Sequence, residues 1–291
     1  TRQLILRDGG ILSTTNCGTG AVTPCGSAQP GTLRVNASDF IELIGTPDVD
    51  DERLLTSGLF STSVLEGDGG DIFVETGRLI IRDGAQIAAA AEKTSSGAGG
   101  NITVNASDLV ELSGTRPNGR SGGLYTFALS SGDAGNLTVN TGRFIVRDDA
   151  SVASSTDSTG NAGDLEINAS ESMQVINAQV RATTTLNAEN AGDAGNFLIN
   201  TNQLIVRDDG LVSARTFGPG DAGNFLINTN QLIVRDGGLV SARTSGSGNA
   251  GDLEINASES MEVIQAEVIA TTTLNADDAG DAGNFLINTN Q

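Results

Sequence analysis

The stretch Gly192–Gly223, GDAGNFLINTNQLIVRDDGLVSARTFGPGDAG, decides how the rest of the chain is read. Its opening, GDAGNFLINTNQLIVRD, recurs letter for letter at Gly220–Asp236 and begins again at Gly280. A companion string, GNAGDLEINASESM, occupies Gly160–Met173 and Gly248–Met261. Exact recurrence of this length marks a repeat architecture, in which each unit buries its apolar face only against its neighbours.

Working outward, the residue after each Gly-rich turn gives an anchor: Thr32, Asp71, Asn101, Asn136, Asp164, Asn196, Asn224, Asp252 and Asn284. Successive anchors mostly lie 28 to 32 residues apart, with longer gaps of 35 and 39 where segments are inserted. Within a unit the pattern has period two, the signature of a strand with one buried face. Leu165 and Ile167, or Phe197 and Ile199, point inward around Glu166 or Leu198. Sixteen residues after the anchor stands Ile87, Val152, Val180, Val212, Val240 or Val268, followed two on by Ala89, Ser154, Ala182, Ala214, Ala242 or Ala270. In the two longest units Phe60 and Tyr125 are read at that β-branched position.

The middle of the unit comes in two versions. In LIVRD, Leu204 and Val206 are inward; in MQVI, Met173 and Val175 are inward. The frame slips by one residue between them while the anchor-plus-sixteen position stays fixed, so a local bulge is expected. The reading is all-β: a parallel β-solenoid with three short strands per rung of about 28–32 residues. At ~4.8 Å per rung, about nine rungs predict a rod roughly 43 Å long. Residues 1–291 form a single repeat segment, with inserts at 16–31, 45–57 and 115–122. An antiparallel sandwich is the rival architecture, and it accounts poorly for exact recurrence.

Stacking turns a recurring position into a column. Asn105, Asn140, Asn168, Asn200, Asn228 and Asn256 share one position, read as a structural amide ladder inside a corner, with a polar ligand site as the alternative. The GDGGD, GDAGN and GNAGD turns are read as plain turn chemistry. Calcium is the other reading of these turns, since it takes oxygen ligands of this kind; otherwise no cofactor is expected. Arg-Asp pairs such as Arg207-Asp208 recur like charges spaced along a surface. Identical recurrence and the absence of histidine speak against an enzymatic site. Thr183-Thr184-Thr185 and Thr271-Thr272-Thr273 are assigned to β-propensity rather than to an ordered-water face.

Net charge is −20 and Lys93 is the only lysine, which removes the basic footprint that nucleic acid or anionic lipid would need. No apolar run approaches the ~20 residues of a membrane span. Cys17 and Cys25 are read as a local disulfide suited to a secreted protein, with a free pair as the alternative. Thr1–Ser13 aligns with Thr229–Ser241, so the sequence reads as an internal piece of something longer, with uncapped ends that favour self-association or end-to-end stacking.

The stretch GDAGNLTVNTGRFIVRDDASVASST at Gly132–Thr156, with GNITVNASDLVELSG at Gly100–Gly114, resembles a known family. It is similar to the repeat region of filamentous-haemagglutinin-like exoproteins of the two-partner secretion type, especially the cyanobacterial kind. The resemblance implies a right-handed parallel β-helix exported through a dedicated outer-membrane transporter to the cell surface. It also implies a role in adhesion, aggregation or an extracellular coat. The function expected is therefore an extracellular structural rod or fibre segment. The alternative is an adhesin binding glycans or neighbouring cells through insert loops or a rod face.

Overall fold

A computed structural model describes residues 1–15, 30–45, 56–64, 67–92, 97–129, 131–157, 159–184, 191–272 and 280–289. Every strand in it belongs to one of two parallel sheets. The first holds ten strands, from Gln3–Leu6 to Phe285–Thr289, and the second nine, from Ile11–Thr15 to Glu267–Thr272. The chain alternates between the sheets, so each long strand of eleven or twelve residues hydrogen-bonds to the long strand of the next coil. The six-residue strands do the same on the opposite side. This is a parallel β-solenoid.

Two details of the sequence reading are corrected. The three short strands expected per rung are two, because the first pair of them runs on as one strand through the middle segment, as in Phe197–Arg207. The strand continues where the side-chain pattern changes, although the pairing skips a residue or two there. The expected nine rungs reduce to seven coils with a closed interior, from Leu33–Ile44 to Leu239–Thr244. In the outermost strands the inward positions are open: Phe285 and Ile287 are more than 40% exposed.

The bulge lies in the long strand of every MQVI-type coil. Ala169 pairs with Thr201 and Ser172 with Gln203, so Ser170 and Glu171 oppose Asn202 alone. The same register shift occurs between Ala37 and Phe40, between Ala106 and Leu109, and between Thr229 and Gln231 where the strand pairs with Leu253–Ile264. The turn that follows then removes one residue. LIVRD coils leave the long strand through two positive-φ residues, such as Asp208 and Asp209, closed by a 3.0 Å bond from Gly210 N to Arg207 O. The MQVI coil at Ile176 turns on Asn177 alone, at φ 44°. One residue gained in the bulge and one lost at the turn leave Val180 and Val212 in register. The Asp of each Arg-Asp pair is thus a left-handed turn residue, a conformation that Asp and Asn tolerate better than most side chains.

The interior is a set of apolar columns. Phe197, Ile199, Leu204, Val206, Val212 and Ala214 of one coil are all essentially inaccessible. Their register partners Phe225, Ile227, Leu232, Val234, Val240 and Ala242 repeat the set one coil on. Phe197 and Phe225 stack with centroids 4.6 Å apart and planes 5° from parallel. Each fully buried side chain of this size contributes about 1.5–3 kcal/mol. Thr184 and Thr216 carry the column onward and bond to each other at 2.6 Å, which satisfies their buried hydroxyls.

Candidate functional site

Three repeated surfaces are built on this frame. The first is the amide column on the outer side of the long-strand sheet. Asn140 Nδ2 donates to Asn105 Oδ1 at 2.8 Å, and Asn168, Asn200, Asn228 and Asn256 each donate to the preceding asparagine at 2.8–2.9 Å. Asn36 instead donates to Glu75 at 3.1 Å. The ladder is half-exposed and outward, not inside a corner as the sequence suggested. The period-two alternation requires this, since Ile167 and Ala169 on either side of Asn168 point inward and are buried. With each amide oxygen and one amide N–H engaged, the column knits neighbouring coils together.

The second surface is formed by the Gly-rich turns. Two Asp/Asn columns run along it, each side chain accepting the backbone N–H of the next coil. In one column Asp193 N donates to Asn161 Oδ1 and Asp221 N to Asp193 Oδ1, both at 2.8 Å. In the other, Asn196 N donates to Asp164 Oδ1 at 2.8 Å and Asn224 N to Asn196 Oδ1 at 3.1 Å. Asp and Asn serve interchangeably because only a carbonyl-type oxygen is used. Between the columns Gly163, Gly195 and Gly223 stack backbone on backbone. A Cβ at Gly195 would lie 2.1 Å from Gly163 O, so no side chain fits. The turns bound an open groove of about 560 Å³ lined by residues such as Asp164, Asp193, Asn196 and Asp221. Calcium was the alternative reading of these turns. Among the described residues no group of three or more acidic, Cys or His side chains converges as a metal site.

The third surface is the outer face of the short-strand sheet. The 115–122 insert, a bare loop in the sequence reading, folds onto it as a small hairpin. Thr115 bridges Ser121 in antiparallel fashion, Arg116 N donates to Arg120 O at 2.8 Å, and Gly119 sits at φ 79°. Gln86 Nε2 and Tyr125 Oη both donate to Ser121 O at 3.1 Å and fix its base. Tyr125 and Phe60 are outward, correcting the inward positions the sequence reading gave them. Leu124 and Leu59 fill the interior instead, in register with Ile87.

Burial pushes the Tyr125 phenol up from 10.0 to about 12. A folded pKa above the unfolded one means that its contribution is full below pH 10 and is lost as pH rises towards 12. The chain has one tyrosine and no tryptophan, so the ultraviolet tyrosinate band reports this group alone. Titration of the folded protein is expected to show ionisation delayed by about two pH units relative to the urea-unfolded chain. Coincident curves would remove Tyr125 from its buried hairpin contact.

Beyond Tyr125 the same face carries Arg181, Arg215 and Arg243. Arg215 and Arg243 are register partners on adjacent strands, and Arg181 lies one strand earlier and two positions along. The Arg215 guanidinium lies over the Phe217 ring at 3.8 Å and donates to Ser245 Oγ at 2.8 Å. Burial, then the neighbouring Arg243 and Arg181 charges, hold the Arg215 pKa below its ordinary value. The sequence reading passed over these residues, treating LVSART only for its Val and Ala. Most arginines on the long-strand side and its turns are instead matched with acids: Arg147 with Glu111 at 2.8 Å and with Asp148, Arg82 with Glu42, Arg207 with Asp208; Arg34 and Arg78 lie over the Phe73 and Phe40 rings. The Arg-Asp pairs, read as spaced surface charge, are thus internally compensated.

Cys17 and Cys25, residues 16–29 and 46–55 of the other two inserts, Lys93, Thr185 and Thr273 lie outside the described residues. Thr183 and Thr271 occupy outward positions of the short strands, in register with Arg215 and Arg243. No helix of the described residues is long and apolar enough to cross a membrane. Comparison with protein families, with curated proteins and with solved structures finds no match to this chain.

Proposed function

We propose that this chain is a rod segment of an extracellular surface exoprotein, with its repeats serving as scaffold. The observation that carries the reading is the longitudinal sameness of the solenoid. The Asn ladder, both turn columns and the apolar columns run from coil to coil with one kind of side chain per position, amide, Asp or Asn, and apolar respectively. Such columns resist bending and unstacking along an axis, and their repetition concentrates no unlike side chains at one point as catalysis requires. The resemblance of the repeats to filamentous-haemagglutinin-like exoproteins supports the same assignment, and with it two-partner export through an outer-membrane transporter. Right-handed coiling goes with this reading, because parallel crossovers take that hand almost without exception.

A second reading, an adhesin for glycans or neighbouring cells, is favoured by one observation. The 115–122 hairpin is pinned to the rod by Gln86 and Tyr125, so it projects from a rigid base. Immunogold labelling of intact cells of the native source, with antibody to the folded chain, tests the location. Gold along surface fibres is expected; labelling confined to the cell interior overturns both readings. Deleting residues 115–122 then separates them: the scaffold keeps its fibres and cell contacts, whereas the adhesin loses its contacts and keeps its fold.

A further inference from the structure

We propose that the outer face of the short-strand sheet, from the 115–122 hairpin to Arg243, binds oxyanions of the sulfate or carboxylate type. The inference does not depend on the biological role of the rod. Its starting point is a segregation of charge. In a chain of net charge −20, Arg2, Arg7, Arg82, Arg143, Arg147, Arg207 and Arg235 each pair with a carboxylate, all of them on the long-strand side or its turns; the other two long-strand arginines, Arg34 and Arg78, lie singly over Phe73 and Phe40. Arg181, Arg215 and Arg243 share the opposite face, and none of them forms an ion pair with a described carboxylate. In so acidic a protein three uncompensated guanidiniums in one place are a specific arrangement, not an average surface.

The geometry suits an anion with more than one oxygen. Arg215 and Arg243 occupy identical positions in adjacent coils, and strands in a sheet lie ~4.8 Å apart, so one oxyanion reaches both forks. Small residues hold the long side chains close to the sheet. Ser213 and Ser241 face outward yet are only 2% and 1% accessible, covered by their larger neighbours. The Nε atoms of Arg181, Arg215 and Arg243 are all buried without a hydrogen-bond partner, so each guanidinium is partly stripped of water while its like-charged neighbours stand beside it. Phe217 beneath Arg215 orders one of the three. An oxyanion held at the terminal guanidinium nitrogens supplies the opposite charge that this face lacks. The pinned hairpin adds Arg116 and Arg120 at one end of the same face, with Arg116 packed against the Gly84 turn.

The test is fluorescence anisotropy of labelled dextran sulfate oligomers at low salt, with uncharged dextran as the control ligand. Three proteins are compared: the native chain, an Arg181→Gln/Arg215→Gln/Arg243→Gln variant, and an Arg147→Gln/Arg207→Gln variant. The native chain and the second variant are expected to bind equally. The first should lose at least about tenfold in affinity, and native binding should weaken steeply with added salt. Inorganic sulfate that displaces the oligomer identifies a site for single oxyanions; failure to displace it identifies a site for anions linked in a polymer. Circular dichroism confirms that each variant is folded. Absence of native binding, or equal loss in both variants, overturns the proposal. So does sedimentation showing that the native chain alone forms salt-sensitive dimers abolished in the first variant, because acids of a second copy would then occupy the face.

Discussion

Replacing Val212 with aspartate is expected to unfold the rod or to lower its stability by about 4 kcal/mol or more. Val212 is fully buried between Val180 and Val240 in adjacent coils, so the new carboxylate would meet only apolar side chains. An ion there gains no partner, and neutralising it still leaves a buried polar group unbonded. The fault also spreads, because each coil is stable only against its neighbours. In a thermal melt followed by circular dichroism the transition should fall by roughly 10 °C or lose its cooperativity. Leu198→Asp is the matched control. Leu198 belongs to the same frame but faces outward and is half-exposed, so its variant should melt close to the native chain. Equal melts for Val212→Asp and the native protein would refute the inward face.

The second large effect is expected from one methyl group. Gly195→Ala puts a Cβ 2.1 Å from the carbonyl oxygen of Gly163 and 2.4 Å from its carbon, both backbone atoms that no rotamer change can move. The coils must separate locally, stretching the bonds from Asn196 N to Asp164 Oδ1 and from Leu165 N to Asn196 O. A loss of roughly 2 kcal/mol or more is expected from urea unfolding. Gly31→Ala is the comparison, since its added Cβ meets nothing within 4 Å and should cost little. A turn that tolerated alanine at Gly195 without loss would mean that the coils are not in backbone contact there.

These outcomes rest on features with unequal visibility in the sequence. The inward frame was legible because period two and exact repetition both report it, so Phe197, Ile199, Val212 and Ala214 could be placed by counting. The bulge was expected but not placed, although an interval marks it: Met173 stands five positions after Asn168, whereas Leu204 stands four after Asn200. What hid it was the compensating deletion at Asn177, which restores the later register. Phe60 and Tyr125 were misplaced because the inserts before them break the count and an aromatic looks like core. The better signal was the glycine one position before the leucine. Gly58 and Gly123 stand where a Cβ would come within 2.1 and 1.7 Å of the next coil's backbone, fixing Leu59 and Leu124 as the inward residues. The ladders were readable as columns, but their outward side and the backbone N–H groups taken by the turn carboxylates were not. The arginine face was the least visible, since coiling alone brings together residues as far apart as Arg116 and Arg243.

The central claim, a rod of stacked repeating coils serving as an extracellular scaffold, is tested most directly by electron microscopy of unfragmented material from the native source. The account predicts continuous thin filaments outside the cell, with an axial spacing of ~4.8 Å in their averaged diffraction. Compact particles without that spacing, or filaments found only inside the cell, would contradict it.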